Sequence, residues 1–251
     1  MGPVTVRSTT SSLRGVCPYC GTPLRPILSP FDRSVVVAYA GCGCERAQEA
    51  ARAAETERMA YESSEMEQAL IRRLRASGMP RRYEGVEPDS TYLADVERGG
   101  LFVHGPVGRG KTHLAVATMR AWAERHGGRV VFTDANSLLS HVRDGYNRGG
   151  SEREAMWRYI GCPLLVFDDF GKGKPSEWAL ERVEDLVNER YNAMRPTIYT
   201  SQWRGRELLS RLALGGSEES AEAIVSRILE TCRTVELKGP DRRIQDRRNS
   251  R

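Results

Sequence analysis

One motif constrains the fold of this chain more than any other feature. Residues 105–112 satisfy the pattern G-x-x-x-x-G-K-[ST], and they are Gly105, Pro106, Val107, Gly108, Arg109, Gly110, Lys111 and Thr112. The glycines of this pattern let backbone N–H groups turn inward and surround phosphate oxygens. Lys111 is expected to reach the β- and γ-phosphates of a nucleotide, and the Thr112 hydroxyl is expected to ligate Mg²⁺.

The sequence on either side of the motif supports this interpretation. A short apolar strand, Leu101–His104, precedes the loop, and a helical pattern follows it from Lys111 to about His126. The dipole of that helix adds positive potential at the end where the N–H groups of the loop converge. The alternative, a glycine turn that binds no phosphate, gives no reason for this order of strand, loop and helix.

A second apolar strand ends in two carboxylates. Asp168 and Asp169 follow the segment Leu164–Phe167 directly, and open α/β sheets bind their ligands at the carboxyl ends of the strands. Asp168 is expected to hold Mg²⁺ through water, and Asp169 is expected to orient or activate the attacking water. The alternative is a pair of aspartates that caps a helix after a core strand. With the phosphate loop, the two carboxylates predict that the chain binds and hydrolyses ATP.

Strands alternate with helices over the rest of this region. Further strands are predicted at Arg129–Thr133, Thr197–Ser201 and Thr234–Leu237, and helices are predicted to begin at Leu138 and to cover Leu180–Met194 and Ala221–Leu229. This alternation indicates an α/β fold with a mostly parallel sheet covered by helices on both faces.

Four of the six cysteines form a cluster near the N-terminus: Cys17 and Cys20 as C-x-x-C-G, and Cys42 and Cys44 as C-x-C. Four thiolates make a closed, tetrahedral structural zinc site, although the second half departs from the commoner C-x-x-C spacing. A redox-active pair of Cys17 and Cys20 is the alternative, and the two additional cysteines argue against it. The remaining two, Cys162 and Cys232, lie beside predicted strands and are expected in the core.

These features divide the chain into five predicted regions: a flexible leader at 1–16, a zinc-binding module at 17–44, a connecting helix and linker at 45–80, the nucleotide-binding domain at 81–243 and a basic tail at 244–251. The connecting region contains no glycine or proline from Glu45 to Ala76, which favours one long helix. Its apolar positions are sparse, as is typical of a connecting helix that is not buried.

Charge and composition limit the classes of partner and location. A net charge of +5 permits a polyanionic partner, but 34 of the 38 basic residues are arginines, so most are interpreted as surface charges. No apolar run approaches the roughly 20 residues of a membrane-spanning helix, and the first residues lack the apolar core of a secretion signal. We therefore expect a cytoplasmic protein without a membrane partner.

Several spaced segments together resemble those of the DnaC/DnaI-type helicase loaders. Besides the phosphate loop, the segments are Ser77–Tyr83, Phe167–Gly171, Asn188–Tyr191 and Pro196–Ser201. Proteins of this type are AAA+ ATPases that deliver the replicative helicase to DNA. The same motifs occur in the IstB-type ATPases that assist transposition. The resemblance covers about residues 77–243 and implies a P-loop AAA+ ATPase domain that self-associates when it assembles.

The resemblance also implies roles for residues that the motifs alone do not explain. Gln202 takes the place of a polar sensor that is usually asparagine, and its longer side chain is a departure from the pattern. Arg227 matches the arginine finger that contacts ATP bound to a neighbouring subunit. Arg243, with Arg242 as the less favoured choice, matches the final sensor arginine. For each arginine, a solvated surface charge is the alternative.

A segment corresponding to the single-stranded-DNA-binding region of the loaders spans residues 137–160. It interleaves basic and aromatic side chains: Arg143, Tyr146, Arg148, Arg153, Trp157, Arg158 and Tyr159. Aromatic rings could stack on bases while arginines meet phosphates. The alternative is a pair of amphipathic helices that packs Trp157 and Tyr159 inward. The arginines of the tail could add phosphate affinity or remain solvated.

The sequence therefore predicts an ATP-dependent loader of the replicative helicase that acts in DNA replication. In many loaders a cysteine-rich N-terminal module holds the helicase, so the resemblance gives the predicted zinc module a role. One alternative is an ATPase that assists a transposase, a class that usually lacks such a module. Another is a scaffold that binds ATP without hydrolysing it, which the presence of both Asp168 and Asp169 disfavours.

Overall fold

A computed structural model describes residues 15–147 and 149–241 of the chain. These residues belong to two compact units, which divide between Glu67 and Gln68. The division lies inside a long helix, so that helix begins in the first unit and ends in the second. The predicted boundaries at residues 16, 44 and 80 remain predictions.

The first unit is built on a small antiparallel hairpin. Strand β1 (Pro26–Leu28) pairs with β2 (Val36–Tyr39), and Pro26 lies opposite Tyr39. Helix α1 (Glu45–Ala76) follows and has the bounds that its lack of glycine and proline predicts. Strand β2 falls within the valine-rich stretch at 35–40, whose composition predicts a β-strand. Strand β1 was not expected, because three residues beginning with proline are too few to show an alternating pattern.

In the part of the second unit that the structure describes, there are a five-stranded sheet, seven α-helices after α1 and a short 3-10 helix at Arg81–Tyr83. Its strands are β3 (Gly100–His104), β4 (Val130–Asp134), β5 (Leu164–Phe170), β6 (Thr197–Ser201) and β7 (Arg233–Glu236). Its helices are α2 (Leu93–Arg98), α3 (Lys111–His126), α4 (Ala135–Asn147), α5 (Glu152–Ile160), α6 (Glu177–Asn192), α7 (Gly205–Ala213) and α8 (Glu218–Thr231).

The sheet has the order β4-β5-β6-β3-β7, and every neighbouring pair is parallel. Side chains alternate between its faces, so Leu101 and Val103 enter one core while Phe102 enters the other. Helices α2 and α3 and the last turns of α1 cover the first face, and α4 to α8 cover the second. The predicted mostly parallel sheet with helices on both faces is therefore confirmed.

Individual elements differ from the sequence prediction in extent. Helix α4 begins at Ala135, three residues earlier than predicted, because the Asp134 carboxylate accepts hydrogen bonds from the Ser137 N–H and hydroxyl and so fixes an earlier first turn. Helix α7 was not predicted at all. Cys162 and Cys232 are buried, as expected. Within the described ranges, no helix is both long and apolar enough to cross a membrane.

Candidate nucleotide-binding site

The phosphate loop connects the carboxyl end of β3 to the start of α3. Gly108 and Gly110 have φ angles of +79° and +86°, a region that side-chain-bearing residues seldom adopt, so glycine is required for the loop to turn in this way. The Lys111 ammonium group donates hydrogen bonds to the carbonyl oxygens of Gly105 and Pro106, at 2.8 Å each. The backbone of the phosphate loop and the Lys111 side chain therefore lie together at the N-terminus of α3.

Asp168 is held by two threonines at the end of β5. The Thr112 hydroxyl donates to Asp168 Oδ1 at 3.0 Å, and the Thr200 hydroxyl donates to the same oxygen at 2.5 Å. Burial raises the pKa of Asp168 despite these hydrogen bonds. A cation bound at this position would offset the cost of burying the negative charge of Asp168.

Asp169 has a different environment, although it is the next residue. The pairing of β5 with β6 is irregular between Phe167 and Phe170, and Asp169 adopts a φ of +51°. Its N–H donates to Thr200 Oγ1 at 2.9 Å, and its Oδ2 lies 2.7 Å from the Lys172 ammonium nitrogen. The irregularity turns the two carboxylates in different directions, so that they can perform different tasks.

A cavity of about 290 Å³ lies over the phosphate loop. Its lining includes Lys111, Thr112, Asp169, Lys172 and Gln202. The sequence-predicted residues from three separate segments are therefore brought together here.

The lining of the cavity fits the charge and ligand preferences of a magnesium nucleotide. Nε and Nη1 of Arg109, which lines the cavity, are shielded from solvent and have no hydrogen-bond partner among the described residues. Such donors suit phosphate oxygens. The Thr112 hydroxyl and the Asp168 carboxylate are the hard oxygen ligands that Mg²⁺ prefers. The roles assigned to individual residues remain predictions.

Comparison with known proteins agrees with this geometry. Residues 93–250, well over half of the chain, match the sequence family described as IstB-like ATP binding protein. The chain belongs to the IstB-like ATP-binding proteins. The resemblance that the motifs predicted is confirmed at the level of this family and its relatives.

Individual relatives of this IstB-like protein come from two groups. An ATP-binding protein in an insertion sequence of Mycobacterium tuberculosis is 30% identical over 148 residues, covering 59% of this chain and 57% of the relative. The replicative helicase loader DnaC of Escherichia coli is 28% identical over 122 residues, covering 45% of this chain and 49% of the loader. The chain thus spans about half to three fifths of the length of these two curated relatives.

Solved structures confirm the predicted AAA+ fold class. A crystal structure of the DnaC helicase loader has a TM-score of 0.53 and 27% identity, and the match covers 63% of this chain and all of that one. A crystal structure of DnaI has a TM-score of 0.52 at 22% identity, and the match covers 65% of this chain and 94% of that one.

Of the two predicted arginine contacts, the structure describes only Arg227. Arg227, on α8, lines a separate cavity of about 500 Å³ that also includes Gly99 and Thr197. Those two residues precede β3 and begin β6, so this cavity lies at the amino-terminal edge of the sheet, opposite the phosphate loop. Arg227 therefore does not contact the nucleotide site of its own chain. Arg242 and Arg243 lie outside the described residues, and the last described residue, Asp241, has its carboxyl group against Gly108.

The four N-terminal cysteines of the IstB-like protein come together in the first unit. All four sulfur atoms lie within 4.8 Å of one another, with Cys17 and Cys44 at 3.9 Å and Cys20 and Cys42 at 3.5 Å. A tetrahedron of sulfurs about 2.3 Å from zinc requires separations of about 3.8 Å. The cluster therefore fits Zn²⁺ and also contains all four predicted ligands.

The predicted DNA-binding segment forms α4 and α5. Tyr159 is buried, whereas Trp157 is 55% exposed, so the inward-packing alternative is correct for Tyr159 and wrong for Trp157. The exposed indole ring lies 5.5 Å from the Arg195 guanidinium group. Tyr146 and Arg143 are also exposed, and Arg148 lies outside the described residues.

Sequence reasoning missed Thr200 and Lys172 as members of the site. Thr200 was visible only as part of the segment Pro196–Ser201, since its contact with Asp168 depends on the pairing of β5 with β6. Lys172 offered a compositional signal: the chain has only four lysines beside 34 arginines, and two of these lysines line the phosphate cavity.

Proposed function

We propose that this IstB-like protein uses Mg²⁺-dependent ATP hydrolysis to load a replicative DNA helicase onto single-stranded DNA. The observation that carries the proposal is the cluster of four cysteine sulfurs in a separate unit before the ATP-binding domain. A zinc-stabilised module of this kind gives a loader a surface for its helicase. The similarity to the DnaC helicase loader over the whole of that solved chain supports the same assignment.

The chemistry follows from the contacts in the phosphate cavity. Lys111 and the loop N–H groups would bind the β- and γ-phosphates, while Thr112 and Asp168 would hold Mg²⁺, whose positive charge would stabilise the negative charge that develops on the phosphates. Asp169 accepts a hydrogen bond from the attacking water, and Gln202 orients that water or a γ-phosphate oxygen. These groups act by position and charge, because phosphoryl transfer needs the reacting atoms in line and the developing charge stabilised.

A second candidate function is assistance to a transposase. It is favoured by the family match over residues 93–250 and by insertion-sequence ATP-binding proteins at 27–30% identity. Both candidates use the same ATP-driven domain and differ in the client that the rest of the chain holds. In either case we place the protein in the cytoplasm, where its client and DNA are found.

Co-purification identifies the client. The full-length protein, tagged and bound to a non-hydrolysable ATP analogue, is mixed with the purified replicative helicase and, separately, with a transposase from the same genome. We expect the helicase to be retained, and we expect Cys17→Ser with Cys44→Ser to lose it while still binding nucleotide. Retention of the transposase alone, unaffected by the cysteine changes, would establish the second candidate instead.

A further inference from the structure

A charged groove adjoins the phosphate cavity at the carboxyl edge of the sheet. It encloses about 760 Å³ between α4 and the loop that follows β5. Asp168 and Asp169 lie in its wall, and Asp169 and Lys172 line the phosphate cavity as well. Anything bound in this groove would therefore lie close to the group that is expected to act on the attacking water.

The cations of the groove are available to an anionic ligand. Four basic side chains line it, namely Arg82, Arg143, Lys172 and Lys174, and all four are exposed. Within the described ranges Arg82, Arg143 and Lys174 make no ion pair, whereas Lys172 is paired with Asp169. The guanidinium groups of Arg82 and Arg143 lie over the rings of Tyr83 and Trp178, which leaves their N–H groups open to an anion. Two acidic residues of the groove accept hydrogen bonds from neighbouring hydroxyl groups: Asp134 accepts from Ser137, and Asp168 accepts from Thr112 and Thr200. The third acidic residue, Asp169, forms an ion pair with Lys172.

The pair of Asp169 and Lys172 is short but accessible to solvent. The two charged atoms are 2.7 Å apart, and the side chains are 33% and 66% exposed. Exposed ion pairs contribute little to stability and are readily exchanged for another partner. While the pair is intact, one oxygen of Asp169 is occupied by the ammonium group, which limits how this carboxylate can meet water in the neighbouring cavity.

We propose that Lys172 is a positioning residue that restrains Asp169 until a phosphodiester backbone, which we take to be single-stranded DNA, binds in the groove and takes over the ammonium group. The phosphates meet Arg82 and Arg143 as well as Lys172, and the released Asp169 carboxylate turns to the attacking water. DNA binding is thereby coupled to ATP hydrolysis by exchange of a single ion pair. This coupling rests on the proposed function, since it concerns the same Asp169.

The coupling can be measured without any nucleotide. If Asp169 competes with DNA for Lys172, removing the carboxylate must strengthen DNA binding only while Lys172 is present. Affinities for a fluorescent oligothymidylate are measured by anisotropy for the wild type, Asp169→Asn, Lys172→Ala and the double variant. We expect Asp169→Asn to tighten binding on the order of 2- to 5-fold in the wild-type background and to have no effect in the Lys172→Ala background.

Two controls separate exchange of the pair from a general change of charge. Asp134→Asn removes an acid from the same groove that makes no ion pair with Lys172, so its effect should depend on Lys172 much less than the effect of Asp169→Asn does. An equal effect of Asp169→Asn in both backgrounds, or failure of the wild type to bind the oligonucleotide, would overturn the proposal. The same cycle with a duplex of equal length tests the single-strand assignment, which is wrong if the duplex shows the same coupling at equal affinity.

ATP turnover provides a second readout. Without DNA, Lys172→Ala should turn over ATP several-fold faster than the wild type and respond little to added oligothymidylate, whereas Lys172→Arg should restore both the low basal rate and the response. Lys238→Ala, which breaks a similarly exposed pair with Glu236, should behave as the wild type. A slower Lys172→Ala that still responds to DNA would contradict the proposal. Absence of turnover in the wild type would instead refute the proposed function and leave the binding cycle valid.

Discussion

Asp168 and Asp169 are neighbours in sequence but have different chemical surroundings. Asp168 accepts hydrogen bonds from Thr112 and Thr200, and burial raises its pKa. Asp169 has a left-handed backbone conformation, lies in the cavity wall and is paired with Lys172. A buried carboxylate between hydroxyl groups suits a metal ion, whereas an accessible one suits contact with water. These surroundings support the proposal that Asp168 holds the metal ion and Asp169 acts on water.

Substitution of the phosphate-binding lysine and of the second carboxylate should separate binding from hydrolysis. Lys111→Ala removes a charged donor to the phosphates and should weaken ATP binding by about 10- to 100-fold. Asp169→Asn keeps the site but removes the group that acts on water, so it should bind ATP normally and hydrolyse it on the order of 10²- to 10⁴-fold more slowly. A fluorescent ATP analogue and phosphate release measure the two effects. Full turnover by both variants would contradict the site.

The raised pKa of Asp168 predicts that this residue destabilises the metal-free fold. Because its pKa is higher in the folded than in the unfolded chain, its ionisation at neutral pH opposes folding, and this cost disappears as the pH falls below both values. Asp168→Asn should therefore raise the melting temperature in EDTA at pH 7, and the difference from the wild type should vanish in acid. Differential scanning calorimetry in EDTA across pH tests this. A lower melting temperature for the variant at pH 7 would contradict it.

At the scale of single elements, α5 presents its two aromatic rings to different surroundings. Neighbouring residues of a helix point about 100° apart, so Trp157 and Tyr159 lie about 200° apart around the axis. Tyr159 therefore enters the core while Trp157 faces solvent. The two rings offer a matched pair of substitutions on one helix.

Trp157→Ala should weaken binding of single-stranded DNA and leave the melting temperature nearly unchanged. If the exposed indole stacks on a base, its loss costs about 1–3 kcal/mol of binding free energy. Tyr159→Ala, the control on the same helix, creates a cavity and should lower stability by about 3–5 kcal/mol. Anisotropy and chemical denaturation measure the two quantities. Unchanged DNA affinity in a folded Trp157→Ala protein would remove α5 from the DNA-binding surface.

The elements that could be predicted are those whose signal is contained in a short stretch of sequence. Strand β6 and helix α3 have the predicted bounds, because a run of apolar or helix-favouring residues is flanked by clear breaks. Thr200 and Lys172 could not be assigned, since their contacts depend on strand pairing and on the turn after β5. Arg190 is similar: it lies in a recognisable motif, yet only the structure shows that its buried guanidinium group bonds carbonyl groups before β5 and β6.

At the scale of the whole molecule, the two compact units depend on different stabilising interactions. The second has two apolar cores on either side of its sheet. In the first, most apolar side chains of the hairpin are exposed, which leaves little apolar burial to offset the entropy of folding. A metal bound by the cysteine cluster would supply the missing free energy.

Purified protein should therefore contain one zinc ion per chain, bound by Cys17, Cys20, Cys42 and Cys44. Removal of zinc by a chelator, or Cys17→Ser with Cys44→Ser, should unfold the hairpin and leave ATP binding by the second unit intact, because both apolar cores belong to the second unit. Metal analysis, NMR of the hairpin amides and nucleotide titration test the three parts. Absence of zinc after reducing, chelator-free purification would contradict this prediction.

The position of Arg227 determines which nucleotide site this residue can reach. The phosphate loop lies at the carboxyl edge of the sheet, and the cavity that contains Arg227 lies at the amino edge. The guanidinium group is half-buried, 5.8 Å from the centre of the Tyr191 ring, so its direction is partly fixed. A side chain fixed on the opposite edge can reach a γ-phosphate only in another copy of the chain, as the arginine-finger prediction requires.

Turnover should therefore depend on assembly, and Arg227→Ala should reveal this dependence. An arginine finger stabilises charge on the γ-phosphate in the transition state, and its loss can cost on the order of 10³ in rate. The wild-type rate should rise more than linearly with protein concentration, whereas Arg227→Ala should bind ATP normally and lose this rise.

Mixed with Asp169→Asn, the Arg227→Ala variant should regain part of its turnover, because the Asp169→Asn subunit donates the arginine and the Arg227→Ala subunit retains its carboxylate. Arg195→Ala, from the same cavity, is the control for loss of a neighbouring charge and should keep the wild-type rise of turnover with protein concentration. If Arg227 is only a surface arginine, Arg227→Ala should keep the wild-type concentration dependence and the mixture should show no recovery. These two measurements therefore decide whether the amino edge of the sheet in one subunit completes the active site at the carboxyl edge of the sheet in a neighbouring subunit.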